Sequence, residues 1–330
     1  MIPVNRPAGK PGVLLLLLVG GLLCSCGERA TAPTRFPGGI PIADSSFAAG
    51  TTLTIVSGET GEPAAGATVA VGGRSYTANS AGVVVLAERT EQGSTVDITG
   101  TNILDRQTLL RSPDQTRFTY WPRTSPKGVN EHHTATLVYT LTQEGSPTAE
   151  AALERLAPGV TRAFLVPSAQ IRADATAMTF HQLAVDLLNT AVGGQVVYSL
   201  EAEAPPVGPV FEAVIDPADP VCAQRARAAA YRRFSGHAII GGRIVYCFAD
   251  ASRASTATHE LGHTFGLRHS VDPSDSMWPF YSLQRPNAFS PREAMLMSMM
   301  LQRPPGNRFP DRDREAQVAG RSGDDVVVCH

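Results

Sequence analysis

Between Ser255 and Ser270 the chain reads STATHELGHTFGLRHS, which places His259, Glu260, His263, Gly266 and His269 within eleven residues. On a helix, residues four apart lie one turn above each other, so His259 and His263 can reach one ion from a single face. Glu260 lies beside that face, where it is a poor third ligand but is placed to bond a water held by the metal. Gly266 is the expected helix end, because a residue without a Cβ takes the left-handed conformation that turns the chain back and returns His269. Three neutral imidazoles leave the double charge of an ion undiminished and one tetrahedral position open, the arrangement of a catalytic Zn2+. A water in that position titrates near pH ~7 instead of ~15.7. With everyday residue frequencies this pattern arises by chance in roughly one of 10⁵ chains of this length, so a histidine-rich core turn is the weaker explanation.

The elements that must position these side chains read in the order strand, loop, helix. GGRIVYCFAD is a β-branched and aromatic run, and the helix-forming stretch ASRASTATHELGHTFG follows it. Eight residues beyond His269, DSMWPFYS supplies Met277. The set His259, Glu260, His263, Gly266, His269 and Met277 resembles the metzincin zinc proteases, and Gly262, Ser270 and Met277-Trp278-Pro279 make it locally most like the matrixins. The resemblance is specific over residues 243–281. It implies an α+β catalytic domain, one catalytic Zn2+ on His259, His263 and His269, and Met277 as a structural floor under the site. It further implies a protein or peptide substrate extended along a sheet edge, and hydrolysis by metal-activated water with Glu260 as general base, without an acyl-enzyme. Two departures matter. No cysteine precedes the domain in a latency-switch context, and Pro279 stands where some metzincins carry a tyrosine, so Tyr281 does not inherit that role.

The remainder of the 330 residues is organised around this segment. Residues 1–25 read as a signal peptide, with Arg6 and Lys10 ahead of the apolar run VLLLLLVGGLL, too short for a permanent span. LLCSCG resembles a bacterial lipobox, with Cys26 preferred over Cys24 for lipidation; an ordinary secretory signal is the alternative. The expected setting is the cell envelope, with the chain membrane-anchored through lipid. Residues 26–48 are Pro- and Gly-rich and read as a tether. Residues 49–143 hold short β-branched runs separated by turn signals, and resemble a transthyretin-like or carboxypeptidase-regulatory-like sandwich. Residues 146–310 alternate helices and strands, and 311–330 read as a tail. The expected architecture is multidomain, an all-β sandwich followed by an α+β metzincin-like zinc protease domain.

Within that frame, Ser146-Pro147 is expected to cap a helix over TAEAALERLA, ADATAMTFHQLAVDLLNTAVGG is expected to be a helix ending at Gly193-Gly194, and CAQRARAAAYRRF another. RAFLVP, QVVYSLEAE and VFEAVI read as strands. His181 inside the second helix reads as a core residue, and Glu131-His132-His133 as a solvated turn, since adjacent strand residues face opposite ways. Tyr120 and Trp121 read as packing in preference to a sugar face. The methionines of AMLMSMMLQ read as the apolar face of a closing helix. Outside the cytoplasm Cys222 and Cys247 can pair, with buried free thiols the alternative and Cys329 left over. Charge balances, 30 acidic against 28 basic residues, which gives no footprint for nucleic acid. The alternatives to an endopeptidase are a catalytically silent surface adhesion or binding protein with a protease-like domain and a zinc hydrolase acting on a non-peptide amide. Oligomeric state is not legible in these patterns.

Overall fold

A computed structural model describes residues 46–111, 113, 116–124, 142–143, 146–150, 152–249, 253–270, 272–280, 286–308 and 323–329. The expected signal peptide, Cys26, residues 26–45 of the expected tether, Glu131-His132-His133 and Tyr281 lie outside the described residues.

In residues 46–124 the alternation of side chains decides the structure. Strand β1 (Thr52–Ser57) turns Leu53 and Ile55 inward, and β2 (Thr68–Val71) does the same with Val69 and Val71. Strands β3 (Arg74–Thr77), β4 (Val83–Val85), β5 (Thr95–Thr99), β6 (Arg106–Leu109) and β7 (Arg117–Tyr120) complete the region. One sheet has the order β4-β1-β7 and a second β3-β2-β5-β6. Residues from both sheets bury a single apolar cluster, to which Phe47 from the short Ser46–Phe47 strand also belongs.

From residue 152 onward a seven-stranded sheet dominates. Its parallel part joins β8 (Arg162–Pro167), β9 (Val197–Leu200), β10 (Val210–Ile215) and β12 (Ala238–Tyr246), in the order β9-β8-β10-β12. Antiparallel β11 (Ala228–Ser235) lies beyond β12, and β13 (Gly323–Cys329) beyond β11. Arg155–Leu156 adds a short parallel pairing to β12. Among the described residues four α-helices accompany the sheet: α1 (Ala169–Arg172), α2 (Ala175–Val192), α3 (Ala254–Phe265) and α4 (Pro291–Leu301).

Helix α2 forms where the apolar spacing puts it. The Asp174 carboxylate accepts from the amides of Thr176 (2.9 Å) and Ala177 (3.1 Å), and Gly193 closes the helix at φ 66°. Its buried stripe, Ala177, His181, Ala184, Val185, Leu188 and Val192, recurs at three- and four-residue steps and packs on the sheet and α3. No described helix is long and apolar enough to cross a membrane.

Two local expectations fail. Ser146–Glu150 is a strand paired with Thr142–Gln143, where a capped helix was expected. Just beyond it, Ala152 to Leu156 are buried on consecutive residues, and Leu153 donates to the Asn307 carbonyl (2.8 Å). A ten-residue helix is marginal by itself, and the chain here satisfies its backbone with distant partners instead. In CAQRARAAAYRRF, only the first three residues are helical, as the end of the 3-10 turn Pro220–Gln224. Arg225 follows at φ 64°, which stops a helix, and Ala228–Ser235 enters the sheet as β11. The small side chains of Ala228, Ala229 and Ala230 are completely buried, so tertiary pairing overrides the helical preference of alanine.

Residues 44–330 form one compact unit. Trp121, at the end of β7, is buried in the same cluster as Leu156, Phe211 and Leu261, which makes it a packing residue. The Arg303 guanidinium lies 5.8 Å from its ring centre, and Gln302 donates to the Gly58 carbonyl (3.0 Å).

Candidate metal centre

Helix α3 is buried around almost its whole circumference, with His259, Glu260 and His263 at 0 % exposure. A helix in that position is a core helix, so its polar side chains must be satisfied by the protein or by a ligand. The His259 Nδ1 donates to the Ser276 carbonyl and the His263 Nδ1 to the Leu267 carbonyl, both at 2.7 Å. A carbonyl only accepts, so each bond fixes the proton on Nδ1 and leaves the Nε2 lone pair directed into the site. The two Nε2 atoms lie 3.1 Å apart. Two acceptors at that separation repel unless a cation lies between them, and the donor set therefore fits a divalent ion.

Gly266 returns the third ring. It adopts φ 120°, and a Cβ there would collide with the Glu154 carbonyl. Leu267 then donates back to the Gly262 carbonyl (3.1 Å), and the half-buried His269 comes to 5.4 Å from the His259 ring and 4.9 Å from that of His263, centre to centre. One ligand atom from each of the three histidines lies within 4.8 Å of the others, in the one group of metal-ligating side chains among the described residues. His181 is not brought to them. It is fully buried, donates to the Ala177 carbonyl of its own helix (2.7 Å) and meets the edge of Tyr246 at 5.5 Å.

Met277 is 1 % exposed, and its sulfur lies 2.5 Å from where a Cβ on residue 262 would stand. That is why a glycine occupies the middle of α3: it admits the thioether against the helix between His259 and His263. The buried Met297, Met299 and Met300 of α4 belong to the apolar core.

Sequence reading missed the clamp that holds this turn. Glu293 receives the amides of Met277 (2.8 Å), Ser276 (3.2 Å) and Ser290 (2.6 Å), and the Ser276 carbonyl in turn fixes His259. Arg292 pairs with Asp272 (3.0 Å) and with Asp275. A signal existed in Ser290-Pro291-Arg292-Glu293, a capping box that places a glutamate at the third helical position. Nothing in the sequence says that this carboxylate also reaches the methionine turn.

Burial depresses the proton affinity of His263 well below the ordinary histidine range, and the neighbouring His259 and His269 rings add to the effect. Neutral imidazole is the form a metal requires. Burial, with the charge of Asp275 second, raises Glu293 to about 7 despite its three amide donors. Burial also raises Tyr246 well above its ordinary value, with the Glu260 charge contributing. Behind the site the buried Glu154 pairs with Arg232 of β11 (3.0 Å) and lies 3.7 Å from Arg268, the neighbour of His269. A Cys222–Cys247 disulfide ties the 3-10 turn to the end of β12, just before α3.

Residues 224–294 match the family model of the matrixins, a stretch running through β11, β12, α3, the histidines and the methionine turn into α4. No curated protein matches the chain. The match and the histidine geometry together support a metzincin-like domain in a mixed α/β fold, with zinc metallopeptidase character.

Proposed function

We propose that residues 146–310 form a zinc endopeptidase in which His259, His263 and His269 hold one catalytic ion. The observation that carries this is the pair of carbonyl-fixed tautomers aiming two Nε2 atoms at a common point, with a third imidazole completing the set. Bound Zn2+ supplies Lewis acidity toward the scissile carbonyl and toward a water. Glu260, adjacent to His259 on the buried helix, takes a proton from the attacking water and delivers it to the leaving amine. The substrate lies extended, aligned by main-chain bonds to a sheet edge. Met277 and Gly266 hold the rings in register, and no side chain becomes acylated.

The N-terminal pair of sheets acts in this reading as a sandwich-type spacer or docking module, and the chain is exported and lipidated at Cys26. The Cys222–Cys247 bond is in keeping with an oxidising compartment. A Cys26→Ala chain that is acylated normally would reject that anchor.

The deciding experiment incubates zinc-loaded residues 27–330 with a mixed peptide library, maps cleavages by mass spectrometry, and repeats this with Glu260→Gln. The expected loss in kcat/KM is about 10²–10⁴-fold, with zinc retained. Equal cleavage by both chains rejects Glu260 as the base, and no cleavage by either favours the silent adhesion protein.

A further inference from the structure

On the peptidase reading, a substrate extended along a sheet edge would take the side of β11, and that side is already paired. Of the sheet's two outer sides, β11 is the one tied to the turn carrying His269: its Arg232 holds Glu154 (3.0 Å), which lies 3.7 Å from Arg268, and the Glu154 carbonyl abuts Gly266. Helix α3 packs across β11 as well. On its outer side, residues 323–329 pair antiparallel with all of the strand but Ser235, from Phe234 opposite Gly323 to Ala228 opposite Cys329.

Strand β11 sends Ala228 and Phe234 into the main core and Ala229 into a second cluster. The described side chains of β13 are Val326, 40 % exposed, and Val327, half-buried, and neither enters a buried cluster. Main-chain pairing to one neighbour is the manner in which an added peptide strand is held, with alternate side chains left to solvent.

We propose that β13 is a self-bound peptide occupying the substrate's track, so that Gly323–Cys329 and an incoming extended peptide compete for the outer edge of β11. The inference rests on the peptidase reading above for its consequence, though not for the docking itself. It also gives the kind of peptide the edge accepts: an extended segment with consecutive β-branched residues, as in Val326-Val327-Val328. Catalysis then requires β13 to leave, and the apparent affinity for substrate falls by the fraction of chains in which the edge is open.

Amide hydrogen exchange on the zinc-loaded full chain tests this, with the peptide Gly-Asp-Asp-Val-Val-Val-Ser as probe. Saturating probe is expected to raise exchange across 324–328 at least tenfold while β11 amides stay protected, because one strand replaces the other. In a Val326→Pro/Val327→Pro chain, where the ladder cannot form, kcat/KM is expected to rise at least tenfold through KM, and the probe is expected to inhibit competitively. Unchanged protection of 324–328 under saturating probe overturns the proposal, as does a folded proline variant that cleaves no faster. If the proline variant does not fold, exchange on the unaltered chain decides alone. Displacement of β13 without cleavage by any chain would sink the peptidase reading and leave the shared peptide track standing.

Discussion

The two halves of this molecule bury very different things. Residues 46–124 enclose an almost purely apolar cluster, with Ser57, Arg106 and Thr108 the buried polar residues described there. Residues 152–308 bury Glu154, Arg232, His259, Glu260, His263 and Glu293 beside an apolar core. Desolvating an ionisable group is costly, so such groups persist inside only where partners compensate them. Here the partners are specific: carbonyls for the two histidines, amides for Glu293, an arginine for Glu154. The first half buries apolar side chains almost alone, and the second keeps ionisable groups inside beside partners that compensate them.

The comparison breaks if a core change in the first half alters chemistry in the second. Leu53→Ala should lower stability by about 2–5 kcal/mol in urea unfolding and leave kcat/KM of the folded chain unchanged. A matching loss of kcat/KM would mean that the sheets of residues 46–124 help to shape the site. Replacing Cys222 and Cys247 together by serine opens a link across a separation of 25 residues and should cost about 3 kcal/mol, read as a lower denaturation midpoint.

The pH dependence sharpens the same contrast. Glu293 titrates at about 7 in the folded chain against 4.5 when unfolded, so the folded state holds the extra proton between those values. The stability this confers is full below about pH 4.5 and is lost as pH rises through about 7, on the order of 3 kcal/mol in all. Glu293→Gln should flatten that slope while lowering stability at low pH, because an amide accepts from fewer of the Met277, Ser276 and Ser290 amides. An unaltered slope in the variant would place the titration elsewhere. The smallest effect is expected in the first half: Arg74→Ala removes an exposed pair with Glu88 and should change stability by less than about 1 kcal/mol.

How far the sequence was legible depended on how far apart the interacting residues stand. The strand-loop-helix order around α3, the turn at Gly266 and the convergence of His259, His263 and His269 follow from spacings of a few residues, which helix and turn geometry fix locally. The alternating runs of β1, β2 and β5 read in the same way. Residues 152–156 and 228–235 did not, since the first take backbone partners from residues 237 and 307 and the second pair on one side with residues 323–329.

The sequence by itself determined that three imidazoles and a carboxylate share one short helix and its return turn, because those offsets are set by 3.6 residues per turn and by a glycine that can reverse the chain. Only the tertiary structure decided which tautomer His259 adopts, that Glu293 clamps the methionine turn, and that Gly323–Cys329 lies on the outer edge of β11. Each of these depends on a hydrogen bond between residues 16 or more apart in the chain, and no local periodicity encodes such a bond.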